Sequence, residues 1–571
     1  MTPHDPAERR RFMASLGALA AAGGLPARAA AAAAPRTALS RSVSQLQGAY
    51  DLVVIGSGYG GAVMAARLAP GRRLALLERG REWQPAAFPS GLAPTLAEFR
   101  SAAQPLGLFD YRAGDTMDVL AGSGLGGTSL INANVVVAAD RELFSRWPAA
   151  LQHDLARGAW DGYEARVCQM LAVDAVRESD ALRKTWFHRS TTLARSRQGV
   201  AVRHVALPIA VNLRRHANAP NAQGVVQALC THCGDCVTGC RVGAKNTLDV
   251  NYLPLARAAG AEIFARVEAD WLERLPDGRW RVHYTARPEG SAPVHGTVIA
   301  GSVVVAAGTL GSTGLLLRSR AHGLALSSTL GTRFSANGDL LGFGYNTRVQ
   351  TNSAGAARVG PTITSAADYR AGPVLAQRFL IEDGAVPKAL VDAVRLALPL
   401  PAGLFAEFLA AQRVSKDLLG FRTDGALNHS MVYLGIGHDS AGGRIELDAA
   451  GQPQVVWPQV MQEPFVARLR AEMERHAQVF GGRQLDSPRT HPIFGGALTT
   501  VHPLGGCPMG ERADAGVVNA DGVVFDPRGG AGATYANLRV VDGSILPGSV
   551  GVNPLLTIAA LAERAAERYG A

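Results

Sequence analysis

The chain has 571 residues, of which 47% are hydrophobic and 18% charged, and its formal net charge is +10. This composition supports a large core and excludes wholesale disorder. At roughly 150 residues per domain, the length implies several domains or one large two-part enzyme. The 65 glycines show no three-residue period, which excludes collagen and points to tight turns and close backbone approaches.

At the N-terminus, Glu8-Arg9-Arg10-Arg11-Phe12-Met13 precedes a mildly apolar run and an alanine tract that ends at Ala34. A basic start, an apolar run and small residues before a cut site describe a bacterial export signal. The adjacent arginines followed by Phe12 resemble the twin-arginine type. Residues 1–34 are therefore expected to be removed, leaving a periplasmic or secreted protein. The alternative, an anchor helix, is disfavoured because Gly17, Gly23, Gly24 and Pro26 interrupt a span near the ~20 residues a membrane needs. No later segment fills that length, so no transmembrane segment is expected after signal removal. The densest basic stretch, 195–216, lacks the interleaved aromatics of a nucleic-acid platform, and nucleic acid is excluded as a partner.

The first ordered motif is a run of β-branched and apolar residues, Tyr50-Asp51-Leu52-Val53-Val54-Ile55, which predicts a strand buried on both faces. It enters Gly56-Ser57-Gly58-Tyr59-Gly60-Gly61, followed by a helical pattern over 62–68. Gly56, Gly58 and Gly61 fit G-x-G-x-x-G. The first allows the tight turn, the second lets a pyrophosphate approach the backbone, and the third lets helix and strand pack closely. The free N–H groups of the helix start would face the phosphates. A second strand, Leu74-Ala75-Leu76-Leu77, ends at Glu78. This glutamate follows the glycine loop at about the spacing where an acid accepts hydrogen bonds from a ribose. The motif predicts dinucleotide binding without separating FAD from NAD.

Further along, Gly122-Ser123-Gly124-Leu125-Gly126-Gly127-Thr128-Ser129-Leu130-Ile131-Asn132 forms a second glycine-dense loop, with apolar residues unsuited to a flexible linker. Residues 303–312 read as a buried strand turning at glycine into a helix. The C-terminal part carries His502-Pro503-Leu504-Gly505-Gly506-Cys507, then Val541-Asp542-Gly543-Ser544, then Gly551-Val552-Asn553-Pro554 and a helix over 555–564.

Together these segments resemble the glucose–methanol–choline (GMC) flavin oxidoreductases, and within them the cholesterol-oxidase branch, across residues 50–569. The resemblance implies an α/β fold: a Rossmann-like FAD-binding domain and a discontinuous α+β substrate domain built on an antiparallel sheet. The FAD part would comprise 50–140, 222–332 and 495–571, and the substrate part 141–221 and 333–494. The resemblance makes His502 the active-site histidine and Asn553 its partner beside the flavin. Asp542 and Gly543 would lie near the ribityl and pyrophosphate portion. The loop containing Gly124, Gly127, Ser129 and Asn132 would pass close to the ring. No histidine occurs between Gly122 and Asp140, so FAD is expected to be noncovalent. Glu382, in Phe379-Leu380-Ile381-Glu382-Asp383-Gly384, resembles a further active-site carboxylate, which in that branch also serves steroid isomerisation. A surface carboxylate at a strand end is the alternative.

The chemistry of these residue types agrees with that assignment. Oxidising an alcohol delivers hydride to flavin N5 while the hydroxyl proton leaves. An imidazole can accept that proton near neutral pH, and an amide can position the oxygen or the ring.

The stretch Cys230-Thr231-His232-Cys233-Gly234-Asp235-Cys236-Val237-Thr238-Gly239-Cys240 gives C-x2-C-x2-C-x3-C, the iron–sulfur run of bacterial ferredoxins, with Arg241 where proline usually follows. A [4Fe-4S] or [3Fe-4S] cluster on Cys230, Cys233, Cys236 and Cys240 is the leading reading. Zinc, which prefers two separated pairs, and disulfides or free thiols remain open. Cys168 and Cys507 read as packing residues. A cluster would give electrons an exit to a cytochrome or quinone.

The expectation is therefore an exported FAD-dependent alcohol dehydrogenase, with sterols among its candidate substrates. An oxygen-using cholesterol oxidase with structural cysteines, a sugar dehydrogenase and a cofactor-carrying subunit without turnover stay open. Residues 389–412, apolar and broken by Pro399 and Pro401, read as a buried helical pair, with the mouth for a bulky apolar substrate or a membrane-touching surface as the alternatives.

Overall fold

The computed structural model describes residues 36–354, 358–391, 394, 408–418, 424–490 and 495–570. The expected export signal and most of the apolar stretch 389–412 lie outside the described residues.

The first sheet is built around the predicted buried strand, observed as Ala49–Ile55. In it Leu52, Val53 and Val54 are fully buried, and each such side chain contributes roughly 1.5–3 kcal/mol relative to exposure. Leu74–Leu77 pairs with it in parallel on one side and Val294–Val305 on the other. Glu262–Phe264 extends the first edge, and Thr534–Val540 pairs in parallel with the end of Val294–Val305. The first half of that long strand turns antiparallel to Trp280–Ala286, which pairs with Val267–Arg274. Helix Tyr59–Leu68 starts within the glycine loop itself, earlier than the sequence pattern suggested. It packs against the C-terminal helix Leu555–Glu567, where Glu563 pairs with Arg67 at 2.8 Å and accepts from the Tyr252 hydroxyl at 2.8 Å.

The second sheet is antiparallel throughout, with strands in the order Arg483–Asp486, Leu340–Tyr345, Met431–Ile436, Leu380–Gly384, Ser365–Asp368 and Arg203–Ala206. Helices Arg183–Arg197 and Pro464–Gln478 cover one of its faces. Its other face carries Glu382. Alternation along Leu380–Gly384 puts the next residue, Asp383, on the helix side, where it meets Lys184.

One expected boundary is divided. The expectation places residues 141–221 whole in the substrate part, but helix Ala159–Met170 packs on Leu555–Glu567. Buried Asp154 in Ala149–Ala156 pairs with buried Arg564 at 2.5 Å. Only the later portion, with helix Arg183–Arg197, joins the antiparallel sheet. Amphipathic helices carry no local mark of which half they will cover, so the sequence did not reveal this split.

Candidate active site

The first glycine loop closes on backbone contributed by distant strands. Gly56 has φ +96°, a conformation that L side chains rarely adopt. A Cβ on Gly61 would lie 1.9 Å from the Gly56 carbonyl oxygen. Gly60, which the motif leaves as a free position, is equally constrained: a Cβ there would lie 1.6 Å from the Val541 oxygen. A Cβ on Gly58, by contrast, would meet nothing within 4 Å. That open space lies where the motif puts pyrophosphate against the backbone.

The second glycine loop lies directly on the first. The Gly126 N–H donates to Ser57 Oγ at 2.9 Å, and a Cβ on Gly127 would lie 2.9 Å from Gly58 Cα. A Cβ on Gly124 would press on Leu130 and Trp83. Asn132 donates to the Tyr59 hydroxyl at 2.9 Å. Ser129 spends its hydroxyl within the fold, donating to Gly126 O and accepting from Leu248 N. Glu78 accepts from Ser57 N, Ser57 Oγ and Gly80 N, which fixes it at the mouth of the loop. Asp542 accepts from Gly308 N, Ser312 Oγ and Ser544 N, tying the turn after Val294–Val305 to the C-terminal segment. Gly543 follows it, with Thr309 Oγ1 3.2 Å from its Cβ position.

Four residues from distant segments make the polar centre. The His502 ring meets Asp339 Oδ1 through Nδ1 at 2.9 Å. Asp339 Oδ2 accepts from Thr500 Oγ1 at 2.9 Å, Val501 N at 2.9 Å and His502 N at 3.2 Å. A carboxylate only accepts, so the proton on the neutral ring sits on Nδ1 and Nε2 is left as the acceptor. Asn553 Nδ2 lies 3.5 Å from that Nε2 and donates to Glu382 Oε2 at 3.3 Å. Burial pushes the fully buried Glu382 carboxyl up to about 8, against the opposing pull of His502 and the Asn553 amide. Burial also pulls the His502 imidazolium down. The Asp339 carboxylate and Glu382 more than offset this, and the ring's pKa stands above the ordinary value.

The sequence reading missed two positioning residues. Asp339 orients His502. Asn337 holds the turn before Asn553, accepting from Val550 N and Gly551 N and donating to Val552 O at 2.8 Å. Both sit in the short loop before Leu340–Tyr345, far along the chain from their partners, and no local motif marks them.

Several buried polar atoms have no partner among the described residues: Ser123 Oγ, Asn132 Oδ1, Asn134 Nδ2, Glu382 Oε1 and Asn553 Oδ1. Buried polar groups are nearly always satisfied, so these atoms keep hydrogen-bonding capacity that the described side chains and backbone do not use. The open space at Gly58 and these unpartnered acceptors and donors fit a dinucleotide, which the two glycine loops would hold.

GMC oxidoreductase family profiles match residues 50–336 and 439–562, and the chain belongs to the GMC oxidoreductases. It is 27% identical to a cholesterol oxidase from Acinetobacter baumannii, over 90% of this chain and 93% of the relative. A cholesterol oxidase from Mycobacterium tuberculosis is also 27% identical, over 91% of each chain. A long-chain-alcohol oxidase from Arabidopsis thaliana is 24% identical over 89% of this chain and 65% of the relative. The fold matches that of a pyridoxine 4-oxidase from Mesorbium loti with a TM-score of 0.60 at 18% identity, covering 91% of this chain and 99% of that one. The protein is thus an oxidoreductase of the class that acts on CH–OH donors, and the family implies FAD as its cofactor. FAD held by these glycine loops would supply a hydride acceptor.

None of the six cysteines is paired in a disulfide. Cys230, Cys233, Cys236 and Cys240 line one small cavity together with Gly234, Lys245 and Gly360. Burial pushes the Cys230 thiol well up and the Cys233 thiol up to about 12. Among the described residues, no group of three or more His, Cys, Asp or Glu side chains is disposed to hold a single metal ion. Cys168 lies in helix Ala159–Met170, and Cys507 is buried in the core. Among the described residues no helix is long and apolar enough to cross a membrane.

Proposed function

We propose that the protein oxidises the hydroxyl of a bulky, apolar secondary alcohol of the sterol type to a ketone. One observation carries this reading. On the sheet face that bears Glu382, the cross-strand neighbours are Leu434, directly opposite it, and Leu341, opposite Leu434. Both leucines are partly buried, Leu434 in mid-strand and Leu341 near the start of its strand, and Ala366 flanks Glu382 on the other side. A face of leucine and alanine beside one carboxyl suits a hydrocarbon skeleton with a single hydroxyl. A sugar would leave its several hydroxyls unpaired there. The printed names of the cholesterol oxidases and the long-chain-alcohol oxidase point the same way.

In this reading His502 Nε2 takes the hydroxyl proton as the carbinol hydrogen leaves as hydride. Asp339 keeps that nitrogen free and stabilises the ring once it is charged. Asn553 orients the substrate oxygen, and Glu382 is a second proton carrier, protonated near neutral pH. The oxidation yields a carbonyl, two electrons and two protons. We assign the electron exit to an iron–sulfur cluster on Cys230, Cys233, Cys236 and Cys240. It would pass electrons singly to two one-electron acceptor molecules, a cytochrome being the expected kind, or to a quinone in two steps. A tetrahedral zinc site needs sulfurs converging on one point about 2.3 Å from each, whereas a cluster is served by four thiolates spread around a cavity. Export by a twin-arginine route, which suits cargo folded around its cofactors, completes the proposal and rests on Arg9, Arg10, Arg11 and Phe12.

The test is anaerobic titration of the purified holoprotein with a sterol and, separately, with a sugar, following the flavin absorption. The sterol is expected to bleach the flavin and the sugar to leave it oxidised. Bleaching by the sugar alone would overturn the substrate assignment. Turnover that depends on oxygen and releases peroxide stoichiometrically would favour an oxidase with structural cysteines.

A further inference from the structure

His438 and Asp439, just past strand Met431–Ile436, brace both loops that carry the polar centre. Asp439 Oδ2 accepts from Ala336 N at 2.9 Å and Gly338 N at 3.0 Å, and its Oδ1 accepts from Ala441 N at 3.0 Å. Ser335 Oγ stands 2.8 Å from Oδ1 and 3.0 Å from Oδ2, and itself accepts from Asn337 N at 3.0 Å. His438 supports the other loop. Its Nδ1 is 3.2 Å from Ser549 Oγ, and a Cβ on Gly551 would lie 2.5 Å from its Nε2.

The loop over residues 335–339 has a backbone shape that needs such a brace. Asn337 and Gly338 follow one another at φ +55° and +61°, in the left-handed region, which costs a non-glycine residue about 1–2 kcal/mol. A turn of this kind directs neighbouring N–H groups to one side and makes a concave anion site. Here the anion is the protein's own Asp439, and the charged group acting on it is another acid, Glu463, held by Ser440. The same loop reaches both halves of the centre. Ser335 and Leu504, in the His502 turn, exchange backbone hydrogen bonds at 3.0 Å each. Asp339 takes the His502 ring, and Asn337 takes the turn before Asn553.

We propose that Asp439 is a positioning residue that sets the His502 centre through loop 335–339, fixing Asp339 against the imidazole and Asn337 against the turn before Asn553 at once. This rests on the proton-accepting role given to His502 above. Asp439 touches neither the ring nor the reacting atoms, and acts by keeping the loop's N–H groups turned toward itself. Only a carboxylate can serve there. An amide in its place turns an N–H donor toward donors whichever way it lies. With the loop relaxed, the Asp339 carboxylate would leave its 2.9 Å contact with Nδ1, and the imidazolium would lose its main stabiliser. Glu382 is the other charge acting on the ring.

The experiment follows the His502 titration by NMR in FAD-loaded protein labelled with carbon-13 at histidine Cε1, the His502 signal being the one missing from His502→Gln. In Asp439→Asn the His502 pKa is expected to fall by about 1 or more. Adding Asp439→Asn to Asp339→Asn should move it no further. A further fall in that background would show a direct electrostatic influence and overturn the positioning role. Ser335→Ala, which changes no charge, should lower the pKa by a smaller amount. Flavin bleaching by cholesterol, read separately, should slow on the order of 10²-fold in Asp439→Asn, with KM within a few-fold of wild type. An unchanged His502 pKa in folded Asp439→Asn would overturn the inference whatever the bleaching rate. Should Asp439→Asn fail to fold, Ser335→Ala decides: a lowered pKa supports the role, and an unchanged one overturns it. Bleaching of His502→Gln at the wild-type rate would instead remove His502 from the chemistry, and cholesterol that leaves wild-type flavin oxidised would remove the sterol assignment. The pKa readings judge Asp439 in either case.

Discussion

Glu382 and Asp383 are adjacent in one strand, equally buried, and on opposite faces of one sheet. On the helix side, Asp383 receives Lys184 and Thr364 Oγ1 on one oxygen and the N–H groups of Thr364 and Ser365 on the other. On the other face, Glu382 receives the Asn553 amide at 3.3 Å on one oxygen and nothing from the described residues on the other. The first carboxylate is consumed by the fold, while the second keeps capacity that the fold does not use. Burial alone therefore does not mark a functional acid; the unfilled partner does. The same distinction separates Gly60, whose Cβ space is taken by protein, from Gly58, whose Cβ space is open.

The sharpest way to break this comparison is to remove the groups on each side. His502→Ala, on the open side, is expected to lower turnover on the order of 10²–10⁴-fold while flavin content and unfolding midpoint stay at wild-type values. Turnover within a few-fold of wild type would break the assignment. On the closed side, Asp383→Asn leaves Lys184 buried without its carboxylate and is expected to cost about 3–5 kcal/mol in urea unfolding. The double change Lys184→Met with Asp383→Leu should recover most of that loss. A single variant of wild-type stability would show the pair to be dispensable.

Glu382→Gln tests the open carboxyl through pH. The folded-state pKa of Glu382 is raised to about 8 from an ordinary 4.5, so the native state holds that proton more tightly than the unfolded chain. This contribution to stability is complete below about pH 4.5 and is lost as pH rises through 8. The wild type should therefore lose stability relative to Glu382→Gln across that window, and parallel curves between about pH 5 and 9 would contradict the burial argument. Among the glycines, Gly60→Ala should destabilise the protein by about 1–3 kcal/mol or more through the clash with Val541. Gly58→Ala should leave the flavin-free chain unchanged and weaken only flavin binding, as read by fluorescence titration. The smallest effect is expected for Leu434→Ala, which removes roughly 1–2 kcal/mol of apolar contact. It should raise KM for a sterol several-fold at nearly constant kcat.

Much of the dinucleotide half could be read from the sequence because its signals are local. A β-branched run, a glycine-rich turn and the acid that closes the next strand occupy one stretch of chain, and each element formed close to where its pattern lay. His502 and Asn553 were singled out through motifs whose significance came from family likeness, and the structure brings both to one centre with Glu382. Asp339 and Asn337 were invisible because their partners lie far along the chain and a loop Asp or Asn is among the commonest of turn residues. Gly60 was overlooked because its constraint comes from Val541, near the opposite end of the chain.

What the sequence determined by itself is the set of local conformations: which segments are strands, where the chain must turn at glycine, and that four cysteines crowd into one short run. Tertiary structure alone decided which buried charges are cancelled and which are left seeking a partner. The physical reason is that a hydrogen-bond donor or counter-ion acts through space over about 3 Å, and folding draws such close neighbours from any position in the chain.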